Sequence, residues 1–346
     1  MELTWTVEQL VLARPFRIAR GTLTQRQAVT VELRHDGVTG HGEAVASPYR
    51  GQDRAALEAS LRELRDRVSG LPDPFALLGA LDPLTENEPE RAGSLCAVDA
   101  AAHDLIGRRW GLPVGRLLGI LEGERRTALS MGITDPESAA ELARAAAGEG
   151  FEVLKVKVGL ESAAAELDLV RAVREAASVT LLADANGGWE PSAAPTRIHA
   201  LAGCGVALVE QPVGPGQAEA LRVAWEAAPV PVYADEDAVT AADVPALAGC
   251  VTGVNVKLHE CGGIRAAVRM IHTARACGLG VMLGCAVSSS LGIAPAAHLA
   301  PLADWLDLDG HLHLADDPWT GLAGPGGTLT PAGSGLGVAP RRPGSR

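Results

Sequence analysis

Five ionisable residues recur at a near-constant interval: Lys157, Asp184, Glu210, Asp235 and Lys257, with successive gaps of 27, 26, 25 and 22 residues. Each ends a short apolar run, as in LLAD, ALVE and VYAD. A sixth, Asp307, closes the run WLD. Such an interval matches one strand plus one helix. In a barrel of parallel strands every strand points the same way, so these groups converge at one mouth, where the active sites of such barrels lie. Three carboxylates meeting in a low-dielectric mouth cannot all stay ionised unless a cation holds them. Singly, Asp184, Glu210 and Asp235 could each cap a helix or close a salt bridge. Together they offer only oxygen, with no Cys or His beside them, and that donor set favours Mg²⁺ over zinc.

The lysines frame that trio. Lys155 and Lys157 alternate on one strand and therefore project the same way, inward. An inward Lys is costly unless it is paired or functional. Lys257 ends the sixth strand, four places from the second in an eight-fold ring, so it faces Lys157 across the barrel. A neutral lysine is a competent base, and nearby cations lower its pKa. The pair suits proton removal from one face of a carbon and delivery to the other. The plainer alternative is that the lysines only neutralise the carboxylates.

Strands Ala128–Ile133, Val153–Val158, Thr180–Ala183, Ala207–Glu210, Val232–Ala234, Gly253–Lys257, Gly280–Leu283 and Trp305–Leu308 are expected, with helices such as Ser162–Ala177 and Gly263–Cys277 between them. That alternation predicts a parallel (β/α)8-type barrel. The first third reads differently. Ala28 to Leu33 alternates, His35-Asp36-Gly37 turns, and Val38 to Val45 returns, predicting a hairpin. Helical spacing follows over Asp53–Val68 and Arg91–Trp110. The Gly/Pro-rich runs 324–327 and 333–337 resemble phosphate loops but lack the flanking strand and helix, so they read as loop. Residues 341–346 read as a frayed tail.

The chain has 346 residues, 47% hydrophobic and 21% charged, which excludes global disorder. Its net charge of −12 argues against a nucleic-acid partner. Six scattered cysteines (Cys96, Cys204, Cys250, Cys261, Cys277, Cys285) form no CxxC pair and read as buried small residues in a reducing compartment. The N-terminus carries Glu2 and Glu8 and no long apolar core, unlike a signal peptide. From Arg275 to Asp304 no charge intervenes, but glycines, Ser288-Ser289-Ser290, Pro295 and Pro301 break the stretch. It reads as strand, turn and buried helix, not a membrane span. A cytoplasmic protein is expected.

The motifs KVKVG, DANGGW, VEQP, ADED, NVKLHECGG and MLGC, in this order over about residues 127–310, resemble the enolase superfamily, muconate-lactonizing subgroup. The resemblance implies a (β/α)7β-type modified TIM barrel with an α+β capping domain. Its boundaries would be 1–120 for the cap, 121–310 for the barrel and 311–346 for a C-terminal segment packing back on the cap. It implies Asp184, Glu210 and Asp235 as Mg²⁺ ligands, and Lys157 and Lys257 as acid/base lysines. Lys155 would stabilise the oxygen of an enediolate, the chemistry of this superfamily. Asp307 and Asp309 alternate at the last strand and suit a free ammonium group. This DxD resembles that of dipeptide epimerases, where it holds the α-ammonium of the N-terminal residue. The stretch Pro15–Thr22 is similar to the L-Ala-D/L-Glu epimerases, where a basic loop residue meets the glutamate side chain. Arg20 is the first candidate, Arg26 the second. Ser130 fits a substrate hydrogen-bonding position.

The implied activity is Mg²⁺-dependent epimerisation of a dipeptide at its C-terminal α-carbon, L-Ala-L-Glu to L-Ala-D-Glu, in peptidoglycan metabolism. Rivals are N-acylamino acid racemisation, o-succinylbenzoate synthesis, and a catalytically inactive metal-holding binding protein. Barrels of this type often associate, so a homo-oligomer is compatible with the reading. Departures from the family pattern bear on specificity: Gly187 after Asn186 where Gln is more frequent, Asp237 where Ser is common, and His259 and Glu260 after Lys257.

Overall fold

Residues 1–121, 123–322, 324–331 and 333–341 are described by a computed structural model. Of the expected frayed tail, residues 342–346 lie outside them. Period-two alternation builds the N-terminal sheet, with strands β1 (Glu2–Ile18), β2 (Gly21–His35) and β3 (Val38–Val45) antiparallel in that order. Asp36 and Gly37 turn β2 into β3 with φ of 47° and 75°, the left-handed pair such a hairpin needs. The β1–β2 ribbon runs on to Ile18↔Gly21, well past the sheet. Neither this arm nor β1 was anticipated. The arm is largely exposed, with Phe16, Ile18 and Leu23 half-buried along it, and it carries little apolar alternation.

Three helices cover the sheet: α1 (Arg54–Ser69), α2 (Pro74–Asn87) and α3 (Ala92–Trp110). The Asp53 side chain accepts the Ala56 N–H (2.9 Å) and caps α1, whose Leu57, Leu61, Leu64 and Val68 are buried. Sequence spacing did not predict α2, which carries Pro83 internally yet buries Leu77, Leu78, Leu81 and Leu84. Gly42 lets β3 lie against α3, since a Cβ there would stand 2.0 Å from the Ala97 carbonyl oxygen.

A two-residue strand β4 (Arg125–Arg126) precedes the barrel. The eight parallel strands are β5 (Leu129–Met131), β6 (Val153–Lys157), β7 (Thr180–Asp184), β8 (Val206–Glu210), β9 (Val232–Ala234), β10 (Gly253–Lys257), β11 (Gly280–Gly284) and β12 (Trp305–Asp307). Each pairs with its neighbour in chain order. The ring approaches closure where Ala128 N–H donates to Leu306 O (2.8 Å). Every gap between successive strands holds a helix, and after β12 comes the tight turn Gly310–His313 with no further α-helix among the described residues, giving the (β/α)7β arrangement. The uncharged stretch forms β11 and the buried helix Ser290–Ala297. No helix among the described residues is long and apolar enough to cross a membrane. All six cysteines are free, but only Cys96 and Cys261 are buried; the other four are half-buried, which corrects the expectation of uniform burial.

The chain beyond β12 returns to the N-terminal layer. Ala315 N–H donates to Val11 O (2.9 Å), and Leu336 N–H donates to Asp104 in α3 (2.8 Å). Glu43 of β3 reaches the other way, accepting the Ser289 N–H (2.9 Å) and hydroxyl at the start of the helix Ser290–Ala297.

Candidate active site

Parallel register sets the charged residues side by side. Lys157 lies opposite Asp184, and Asp184 opposite Glu210. Asp235 follows β9 and Lys257 ends β10. Around the rim the order is therefore amine, three carboxylates, amine. One oxygen from each of Asp184, Glu210 and Asp235 lies within 4.8 Å of the others, and all three residues are buried. Lys157 donates to Asp184 from one end, and Lys257 Nζ donates to Asp235 Oδ2 (2.6 Å) from the other. Lys155 sits below them. Its ammonium lies 2.5 Å from Glu210 Oε2, 2.7 Å from Asp307 Oδ2 and 3.3 Å from Asp184 Oδ2, and the residue is 1% exposed.

The electrostatics show what this arrangement lacks. Burial, then the neighbouring Asp184 charge, pushes Glu210 up to about 8, and Lys155 only partly offsets them. Burial acts likewise on Asp184, but Lys157 and Lys155 hold it well below the usual carboxylate range. Burial disfavours the Lys155 ammonium, yet Asp307, Glu210 and Asp184 keep it protonated far above its ordinary range. For Lys257 burial is likewise outweighed, by Asp235 and Glu260 first. Glu210 is thus under-neutralised by the lysines, and the trio's all-oxygen donor set fits a hard divalent cation.

Beside the trio lies a second cluster. Ser130 Oγ donates to Asp307 Oδ1 (2.8 Å), and Ser130 N–H to Asp309 Oδ2 (2.5 Å). The alternation argument for this pair does not hold as stated. β12 ends at Asp307, and Asp309 has turn geometry (φ −93°, ψ 3°). The two carboxylates nevertheless meet because Ser130 grips both.

The arginines differ in their partners. Arg20, at the tip of the β1–β2 arm, lies 2.5 Å from Glu236, the residue after Asp235, and donates to Asn186 O (3.3 Å). Its guanidinium also stacks 5.0 Å from the Tyr49 ring. Among the described residues Arg26 donates only to Ala46 O (3.3 Å), and its Nε is buried without a partner. Burial pushes its guanidinium pKa down. Asp237 faces away from the trio, accepting from Gln211 Nε2 and Gly216 N–H (2.7 Å each). The strand does not continue past Lys257; Leu258–Cys261 is a helical turn, so alternation says nothing about His259. Burial lowers His259 to about 4. Glu260 accepts from Arg50 (2.9 Å) and from Tyr49.

Sequence reasoning missed three contributors. Asn255 Nδ2 donates to Glu210 Oε1 (2.7 Å); its place two residues before Lys257 on β10 was the available signal. Glu236 and His313 had none, since their partners Arg20 and Asp309 meet them only through turns.

Residues 137–343 match the family model described as Enolase C-terminal domain-like, and residues 1–119 match the Mandelate racemase / muconate lactonizing enzyme N-terminal domain. The chain belongs to the enolase superfamily. Among relatives of this enolase-superfamily protein, the L-Ala-D/L-Glu epimerase of Bacteroides thetaiotaomicron is 32% identical over 95% of this chain and 85% of its own. The hydrophobic dipeptide epimerase of Roseobacter litoralis is 33% identical over 92% of each. Among solved structures, the dipeptide epimerase of Enterococcus faecalis, complexed with Mg and the dipeptide L-Leu-L-Tyr, superposes with a TM-score of 0.92. It is 30% identical, covering 98% of this chain and 99% of that one.

Proposed function

We propose that this chain is a Mg²⁺-dependent dipeptide epimerase, an isomerase that inverts the α-carbon of the substrate's C-terminal residue by 1,1-proton transfer. The observation that carries the reading is the rim order: one amine at each end of a buried carboxylate trio. Asp184, Glu210 and Asp235 hold the metal. When bound there, Mg²⁺ neutralises the trio and stabilises negative charge on the substrate's carboxylate. Lys157 and Lys257 exchange the α-proton on opposite faces, one accepting while the other donates. Lys155 moves no proton. Its three carboxylate partners keep it charged, and it acts as a fixed positive charge beneath the reacting carbon.

Asp307, Asp309 and Ser130 take the dipeptide's α-ammonium. Arg26 is better suited than Arg20 to an acidic substrate side chain. Arg20 is already neutralised by Glu236, whereas Arg26 is half-buried and, among the described residues, has a single carbonyl partner. L-Ala-L-Glu and L-Ala-D-Glu are accordingly the proposed pair, which would place the enzyme in the turnover of peptidoglycan peptides in the cytoplasm. The contacts of residues 310–341 with β1 and α3 support the division into a cap (1–120), a barrel (121–310) and a returning segment (311–346).

The test is incubation with a dipeptide panel in D₂O with Mg²⁺, read by mass shift and chirality. Deuterium should enter the C-terminal α-position of L-Ala-L-Glu with inversion, stop on chelation and resume when Mg²⁺ is restored. No incorporation into any dipeptide would end the proposal.

A further inference from the structure

We propose that His313 is a positioning residue of the ammonium subsite: its imidazole holds one oxygen of Asp309 and so turns the other toward the dipeptide's α-ammonium. This rests on the reading that Asp307 and Asp309 receive that group.

The argument is a census of acceptor atoms. Asp307 has both oxygens engaged, Oδ1 by the Ser130 hydroxyl (2.8 Å) and Oδ2 by the Lys155 ammonium (2.7 Å). Asp309 is different. The Ser130 N–H (2.5 Å) and His313 Nε2 (2.9 Å) both fall on Oδ2. Among the described residues no donor reaches Asp309 Oδ1. An incoming ammonium, which carries three donors and no acceptor, therefore finds in this pair one carboxylate oxygen with no bond already made.

His313 is built to keep that oxygen presented. It stands four residues after Asp309, where the turn Gly310–His313 folds back and Leu312 N–H donates to Asp309 O (2.8 Å). The imidazole is largely buried, and the Phe16 ring of the β1–β2 arm packs on it at 4.8 Å between centroids. Without His313, Asp309 would hang on a single backbone N–H and could rotate about its side-chain bonds. The charges also agree. Burial disfavours the imidazolium, but Asp309 raises its pKa above the ordinary value, and Asp307 adds to that while Lys157 opposes it. A protonated imidazole holding an ionised carboxylate forms a charge-assisted bond, the stronger and more directional kind.

His313 touches no reacting atom, so its effect should appear in substrate binding. The test is steady-state kinetics with L-Ala-L-Glu on His313→Leu, His313→Gln, His313→Asn and Asp309→Asn. Losing a charge-assisted bond that acts only on binding should raise KM about 10-fold for His313→Leu with little change in kcat. Gln can place an N–H where Nε2 stood, and should restore KM to within about threefold. Asn is too short to do so and should behave like Leu. The double variant His313→Leu/Asp309→Asn should be no worse than Asp309→Asn alone. If His313→Leu does not fold, the Gln and Asn variants decide between themselves, and equal KM values would overturn the proposal. A raised KM for Asp309→Asn with unchanged KM across the His313 series would overturn the positioning role and leave the ammonium subsite standing. An unchanged KM for Asp309→Asn would remove the subsite and His313 with it.

Discussion

The barrel mouth and the N-terminal core bury their side chains to opposite ends. At the mouth the deepest groups are ions: Lys155, Asp184 and Glu210 are at most 1% exposed. In the core between the β1–β3 sheet and its helices the deepest groups are aliphatic, with Leu33, Leu57, Leu61, Leu64, Leu95 and Leu105 buried around one another. Burial does different work in each. In the N-terminal core it removes apolar surface from water, about 25 cal/mol per Å². At the mouth it strengthens every Coulomb interaction and displaces proton affinities: Glu210 is raised, while Asp184, though burial acts on it in the same direction, is held low by Lys157 and Lys155. Buried ion clusters seldom add net stability, because the desolvation penalty rivals the attraction. The contrast teaches that the mouth is held in shape by the apolar layers around it and that its charges serve chemistry.

The largest effects should separate the two regions cleanly. Lys157→Ala or Lys257→Ala should lower epimerisation by roughly 10³-fold or more, as expected for loss of an acid/base group, while the remaining lysine can still exchange the α-proton of the one epimer that faces it. Each truncation removes the cation paired with a buried carboxylate, so the comparison is made with Mg²⁺ bound, where the metal still neutralises the trio and thermal stability should move little. Inversion at the α-carbon, read from each epimer separately, and a melting curve on the same sample give both numbers. Full epimerisation in either variant would break the assignment of the two amines.

Leu61→Ala is the mirror image. Its side chain is fully buried between α1 and the sheet, so truncation should cost about 3 kcal/mol of unfolding free energy through lost transfer energy and a residual cavity. The turnover of the molecules that remain folded should be unchanged. A Leu61→Ala protein of normal stability and reduced kcat would mean that the two regions are not separable.

The same contrast explains what the amino-acid order revealed. All eight barrel strands were legible to within two residues at each end. Their runs are short, apolar and bounded, as strands covered on both faces must be. The rim ions were legible because each ends such a run. The long β1–β2 arm was not, since its outer half is solvent-exposed and its packing partner is the barrel. The Gly159 backbone lies against Ala19, and Ile133 N–H donates to Arg17 O (2.8 Å). Helix α2 was hidden by Pro83. Arg20 and Arg26 looked interchangeable in the sequence. Only the fold shows Glu236 beside one of them, 216 positions away.

Glu43 is where the two regions' physics meet, and it offers the smallest and most graded prediction. It belongs to the N-terminal sheet, yet its carboxyl is docked against Ser289 at a barrel helix, in space that Gly292 leaves open. Burial, opposed by the Ser289 hydroxyl and N–H, raises its pKa from 4.5 to about 7. A carboxyl raised in the folded state binds more protons there than in the unfolded chain. Its contribution to stability is therefore fully present below about pH 4.5 and is lost as the pH rises through about 7. The integrated loss is at most about 3 kcal/mol, given 1.36 kcal/mol per pKa unit. Gln keeps the shape, accepts the Ser289 N–H, donates to the Ser289 hydroxyl and does not titrate. Glu43→Gln should thus gain on the wild type as the pH climbs from 5 to 8, with the two unfolding curves drawing level in acid. Because every other titrating group is common to both proteins, the difference between the curves isolates Glu43. A difference that stays constant across that range would show that the carboxyl does not titrate there and that the seam between the layers is insensitive to pH.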